Sequence, residues 1–222
     1  MSFVALSQYG LKKVSLSLNP NEYRQPWECP QCHNTMVFVD TYIKRKHFRH
    51  LVDHGCESEP ESEEHMEMKE TLFHLLEKKG YECEYEIDVG GKVADICAII
   101  NASRLAIECQ VSPVNIKDVI EKNDIYKRVG FEPRWILYPK EFLRECDMCH
   151  LLDGCNICHE TGKECKQLRA VERKFGDTNW LFYYEPTNKL VERITFTIRW
   201  MEDWMGIFRA VATIEKRETV LE

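Results

Sequence analysis

The stretch KVADICAIINASRLAIECQV, residues 92–111, decides the fold. It predicts two strands, residues 92–101 and 104–111, joined tightly through Asn101, Ala102 and Ser103. The first carries an apolar run, residues 96–100, with Asp95 just before it. The second carries Glu108 and Gln110, two positions apart, so both face one side of a sheet while Cys109 faces the other. A carboxylate and an amide beside Ala106 and Ile107 are costly to bury without partners. Two carboxylates on adjacent strands make an oxygen-rich pocket of the kind that holds magnesium. A metal there can polarise a phosphate and acidify a bound water. The spacing by itself also fits a strand end at Asp95 and a surface ion pair at Glu108.

Working outward, Ser58, Pro60 and Glu61 read as a helix start, with Ser58 as the cap and Glu61 completing a capping box. The helix runs through His65, Met68, Leu72, Leu75 and Leu76 and stops at Gly80. His65 and Lys69, four apart, lie on the same face as the apolar stripe, near its N-terminal end. A buried stripe that ends in two polar residues runs into a polar site; the alternatives are a snorkelling lysine and a satisfied core histidine. Residues 81–88 alternate as a strand, and Gly90-Gly91 makes a turn. A helix over residues 114–129 ends at Gly130, and residues 134–138 form a strand stopped by Pro139. The order is α-β-β-β-α-β, an α/β core over residues 58–140.

With 222 residues and 44% hydrophobic content, the chain can bury a substantial core. Mean hydropathy is −0.44, and no apolar run is long enough to span a bilayer. The N-terminus lacks a basic region followed by a long apolar one, so the expectation is a cytoplasmic protein without a membrane partner. The net charge of −7 argues against a generally basic nucleic-acid-coating protein. It leaves room for a local patch: Lys44, Lys46 and Arg49 can meet a phosphate backbone.

Eleven cysteines, six of them in CxxC pairs, point to metal rather than disulfides in such a chain. Residues 1–57 hold Cys29 and Cys32, which need two more ligands for tetrahedral zinc. His47 and His50 are the preferred pair, with His54 and Cys56 as substitutes. Residues 141–168 hold Cys146, Cys149, Cys155 and Cys158, four thiolates that can close around one zinc. Cys165, His150 and His159 can substitute, and an iron–sulfur cluster or a disulfide is the alternative. In residues 169–222, Trp180 to Tyr184 and residues 190–198 read as a hairpin around Pro186-Thr187-Asn188, followed by an amphipathic or irregular tail. The aromatics there can stack on bases or pack a core.

Several motifs in order carry a family resemblance. Ser62-Glu63-Glu64-His65 is followed by Lys69, then Ala94-Asp95, then residues 106–112 (AIECQVS), then Tyr126, Gly130 and Trp135-Ile136-Leu137. This series resembles the nuclease domain of the CoiA-like competence proteins, in the PD-(D/E)XK superfamily. Cys29-Pro30, Cys32 and residues 46–50 (KHFRH) resemble that family's N-terminal zinc-finger-like region. The resemblance covers roughly residues 25–140 and leaves out the second cysteine segment. It implies a restriction-endonuclease-like αβββαβ core with an N-terminal zinc-finger-like region, and hydrolysis of DNA phosphodiesters with Mg2+ or Mn2+; the second Cys-rich zinc-binding insertion rests on its cysteine spacing alone. Asp95 and Glu108 would bind the metal with the Cys109 carbonyl. Gln110 stands where many superfamily members have lysine; CoiA-like members commonly share this glutamine. Lys69 would supply the missing charge, Glu64 an accessory contact, and Tyr126 a contact to the site or the DNA backbone. A second copy of the chain or another DNA-processing protein is the company this implies. The competing expectations are a DNA-binding protein that keeps the fold without cutting and a zinc-stapled interaction module.

Overall fold

A computed structural model of the chain describes residues 2–42, 44–52, 56, 61–138, 143–145, 162–168, 180–202, 206 and 208–221. Five strands come first: β1 (Val4–Ser7), β2 (Lys12–Val14), β3 (Trp27–Glu28), β4 (Thr35–Val39) and β5 (His47–His50). They form one antiparallel sheet in the order β2-β1-β3-β4-β5. Its core is Ala5, Leu18, Trp27, Met36 and Phe48, with Trp27 and Phe48 in tilted ring contact at 5.0 Å.

Next come α1 (Glu63–Lys78), β6 (Glu82–Val89), β7 (Lys92–Ile100), β8 (Ser103–Gln110), α2 (Ile116–Arg128) and β9 (Glu132–Leu137). The α-β-β-β-α-β order read from the sequence is the order observed. The cap differs: Ser62, not Ser58, accepts the His65 N–H at 3.2 Å. Ser58 lies outside the described residues. Each neighbouring pair from β6 to β8 is antiparallel, and the crossover through α2 makes β8 and β9 parallel. The turn between β6 and β7 has both glycines at positive φ, 69° and 89°. A side chain at Gly90 would also press on Ile125, so glycine suits both the backbone and the packing there.

The remaining strands are β10 (Leu143–Glu145), β11 (Cys165–Leu168), β12 (Trp180–Glu185), β13 (Leu190–Glu202) and β14 (Phe208–Leu221). The expected hairpin is β12 and β13. The segment read as an irregular tail is instead a long strand, β14, paired along β13. β12 lies parallel to β9, so the C-terminal strands extend the sheet of the α/β core. The sheet has nine strands in the order β10-β11-β14-β13-β12-β9-β8-β7-β6.

The two helices cover opposite faces of this sheet. Met66, Met68, Leu72 and Leu76 of α1 pack on Tyr85, Ile96, Ala98, Leu105, Ile107 and Ile136. On the other face Val119 of α2 packs with Trp135, Leu137, Leu181 and Tyr183, and Tyr126 with Val89, Ala94 and Ala106. Truncating one fully buried leucine of α1 costs about 2–5 kcal/mol. No helix among the described residues is long and apolar enough to cross a membrane.

Candidate active site and metal centre

Strand alternation should send Glu82, Glu84, Glu86 and Asp88 of β6 to a single face. Glu82, Glu84 and Asp88 are exposed, but Glu86 is turned inward. The reason is backbone: Glu86 has φ of 49°, the left-handed region. The β6–β7 ladder pairs Tyr85 with Ile96 and Ile87 with Ala94 on either side of it. Across that break the phase reverses. Tyr85 and Ile96 face α1, whereas Ile87 and Ala94 face α2. The two residues at the break, Glu86 and Asp95, both reach α1.

There they meet Lys69, whose side chain is fully buried. Its Nζ lies 2.6 Å from Glu61 Oε1, 2.8 Å from Glu86 Oε1 and 3.6 Å from Asp95 Oδ1. His65 Nε2 stands 3.2 Å from Asp95 Oδ2 and its Nδ1 3.6 Å from Glu61 Oε1. Asp95 Oδ2 also accepts the Cys109 N–H at 2.8 Å. The β7–β8 pairing ends at Ile96 and Ile107, so the aspartate side chain takes an amide just past the end of that ladder.

The charges follow from this geometry. Burial works against the Lys69 ammonium, but Glu86, Glu61 and Asp95 outweigh it and hold its pKa well above the usual lysine range. Burial likewise opposes ionisation of Asp95, yet His65 and Lys69 keep it well below the usual carboxylate range. His65 is pulled up by Asp95 and Glu61 against its burial. Glu61 is raised by burial, with Lys69 pulling the other way.

Glu108 points to the other helix. Its Oε2 accepts from Lys122 Nζ at 2.7 Å and its Oε1 from the Tyr126 hydroxyl at 2.5 Å. Burial pushes its pKa up to about 7, against the pull of Lys122. Asp95 and Glu108 thus stand on neighbouring strands but are engaged by different helices. The side chains whose donor atoms cluster within 4.8 Å of one another are His65, Asp95 and Cys109. The Cys109 thiol is buried, and burial raises it well above the usual range. Gln110 is half-buried and donates through Nε2 to the Ser112 carbonyl.

Tyr126 is fully buried, and its hydroxyl is engaged with Glu108. Glu64 is exposed; the carboxylate that the start of α1 brings beside His65 and Lys69 is Glu61. Lys44 and Arg49 are exposed, whereas Lys46 is committed to the Tyr23 hydroxyl at 3.0 Å and Asp40 at 3.5 Å. Sequence reasoning missed Glu61, Glu86 and Lys122. Lys122 was findable, because it precedes Tyr126 by four and shares its helix face.

A second cluster lies in the N-terminal sheet. Cys29, Cys32, His50 and Cys56 place their donor atoms within 4.8 Å of one another. Cys29 Sγ is 4.0 Å from Cys56 Sγ, and Cys32 Sγ is 3.3 Å from His50 Nε2. The loop is folded for this: Gln31 N–H points at Cys29 Sγ, and His33 closes the turn at φ of 56°. Three thiols and an imidazole are a soft donor set that could hold a zinc ion. His47 is not in the group. It is buried, with Nδ1 2.6 Å from the Arg45 carbonyl, and Cys56 stands in its place. Cys146, Cys149, Cys155 and Cys158 lie outside the described residues.

A mixed sheet with one helix on each face and a buried acid–base cluster at a break in its strands defines a mixed α/β protein. The family model for the competence protein CoiA, nuclease-like domain, matches residues 61–201, more than half of the chain. The chain belongs to the CoiA nuclease-like family. No curated protein and no solved structure matches it.

Proposed function

We propose that the chain is a divalent-cation-dependent nuclease of the restriction-endonuclease-like kind, acting on DNA, with Asp95 at its centre. The observation that carries this reading is the convergence of Asp95, Glu61, His65 and Lys69 where the β6–β7–β8 ladders break. The donor chemistry fits a hard cation. No hydrogen bond from the described residues reaches Asp95 Oδ1, since Lys69 stops at 3.6 Å. Glu61 Oε2 is buried with no partner among the described residues. An orphaned carboxylate oxygen of that kind favours a cation.

Asp95 and Glu61 would hold Mg2+ or Mn2+, and Glu108 would join them by exchanging with Lys122. When bound, the cation supplies charge neutralisation of a phosphate and an acidified water. The protein's own groups do the rest. His65 and Lys69 keep Asp95 ionised, the Cys109 amide fixes its carboxylate, and the His65 ring stands between Asp95 and Glu61. Gln110, at the half-buried end of β8, would turn its amide from the Ser112 carbonyl to reach substrate. Lys44 and Arg49 are exposed cations that would meet a phosphate backbone. Cys29, Cys32, His50 and Cys56 are assigned a structural zinc.

The test is incubation of the purified chain with single-stranded and duplex DNA in Mg2+ or Mn2+, beside Asp95→Ala. Cleavage lost in the variant supports the reading. Equal cleavage by both proteins removes Asp95 from the mechanism. Binding without cleavage by either would favour an accessory DNA-binding role.

A further inference from the structure

Glu86 belongs to no motif, yet it is the most heavily engaged carboxylate of the cluster. Two of its partners, Ser2 and Phe3, come from the segment just before β1. The Ser2 hydroxyl donates to Oε2 at 2.6 Å, and the Phe3 N–H donates to Oε1 at 2.9 Å. Lys12, from β2, donates to the Tyr85 carbonyl at 2.6 Å and the Glu86 carbonyl at 3.1 Å. These are carbonyls at the strand break, on the outer edge of the nine-stranded sheet. The Phe3 ring lies against Tyr85 at 5.2 Å and beneath the Lys69 ammonium at 5.6 Å. Ser2 bridges to Phe48 of β5, the strand that ends in His50 of the cysteine cluster.

The N-terminal sheet therefore grips both the backbone and the side chain of Glu86, a residue in a costly left-handed conformation. What Glu86 holds in turn is Lys69. The ammonium sits within hydrogen-bond distance of Glu86 and Glu61 but not of Asp95. Three carboxylates compete for one cation, and the geometry decides that Asp95 gets the longest contact.

We infer that Glu86 is a positioning residue by which the N-terminal sheet draws Lys69 off Asp95 Oδ1, leaving that oxygen open to a divalent cation. The inference rests on the metal reading of Asp95 given above. With Glu86 neutralised, Lys69 closes on Asp95 and competes with the ion. With its Ser2 anchor removed, Glu86 loses one of its two N-terminal donors and holds Lys69 less firmly.

Mn2+ affinity of the zinc-loaded full chain, measured by calorimetry, tests this without any turnover. Glu86→Gln should raise the Mn2+ dissociation constant at least about tenfold, since a charge-assisted hydrogen bond is redistributed. Ser2→Ala, which removes one neutral donor, should raise it about threefold. Glu82→Gln on the same strand removes the same charge from an exposed position and should leave it unchanged. Urea titration identifies conditions in which each variant is folded, and Ser2→Ala carries the test if Glu86→Gln does not fold. Parent-like affinity in Glu86→Gln or, failing that, in Ser2→Ala overturns the proposal while the metal reading stands. An equal loss in Glu82→Gln also overturns it, because net charge would then explain the effect. If the parent binds no Mn2+, the metal reading fails and the proposal falls with it.

Discussion

Replacing Lys69 by methionine removes the charge at the centre of the cluster while nearly preserving its volume. The lysine is fully buried, with two carboxylate oxygens within 2.8 Å and a third at 3.6 Å. At 2.8 Å and an effective permittivity of about 20, each close pair attracts by about 6 kcal/mol before desolvation is set against it. Desolvation of both partners cancels most of that, so the pair's net worth is small. Its disruption is not, because Glu61, Glu86 and Asp95 are left facing one another out of water. Breaking a buried pair in this way costs about 3–5 kcal/mol. The assay is urea unfolding in chelator-treated, zinc-replenished buffer, run on Lys69→Met, Glu86→Gln and the double variant. The double variant should be less destabilised than the sum of the singles by about 1–3 kcal/mol, since removing Glu86 relieves part of the repulsion that Lys69→Met creates. A cost below about 1 kcal/mol for Lys69→Met, or additivity within about 0.5 kcal/mol, would show that Lys69 does not bind these carboxylates together.

Two further outcomes follow from the N-terminal sheet. Cobalt substituted for zinc should give a thiolate charge-transfer spectrum that weakens in Cys56→Ser and persists in His47→Asn; the opposite pattern would restore His47 as the ligand. His47 itself predicts acid sensitivity. Burial holds its pKa below the ordinary value, only partly offset by the Arg45 carbonyl. The folded imidazole thus stays neutral while the unfolded one gains a proton near pH 6.5, at about its reference pKa. The sign is that stability is full above that pH and falls as pH drops through it toward the folded pKa. Between pH 7.5 and 5.5 the urea midpoint should fall further in the parent than in His47→Asn, whose amide can still donate to Arg45. Matching slopes would mean that His47 takes up its proton as freely in the fold as in the unfolded chain.

The elements of the core were legible because their signals are local. Residues 92–111 give two strands, glycines mark the ends of both helices, and the apolar stripe of α1 carries His65 and Lys69 toward β7. The cap was misplaced by four residues because Ser58 and Ser62 both precede acidic residues, and only tertiary packing chooses between them. β14 was missed because Lys216, Arg217 and Glu218 look like a solvated tail. In the fold they sit on an antiparallel partner that supplies opposite charge, with Arg193 paired to Glu218 and Glu192 to Arg217. His47 was a reasonable ligand by spacing. The strand set its fate: His47 and His50 are three apart, so they project to opposite faces, and only one can meet the cysteines.

Glu86 shows where such reading stops. Period two assigns it to solvent with Glu82, Glu84 and Asp88, and no residue in the stretch signals a left-handed backbone. Its inward turn depends on donors more than seventy residues away, Ser2, Phe3 and Lys12. The same break that turns Glu86 in also reverses β7 at Asp95. The aspartate that the sequence singled out therefore reaches α1 through a backbone irregularity that its own motif does not encode. Glu108, on the unbroken strand beside it, keeps the regular phase and faces α2. The separation of the two carboxylates between helices is thus a consequence of one strand pair breaking phase and its neighbour keeping it. Any cation that brings Asp95 and Glu108 together must compete with Lys122 for Glu108, which makes Lys122 the counterpart of Lys69 on the opposite face of the sheet.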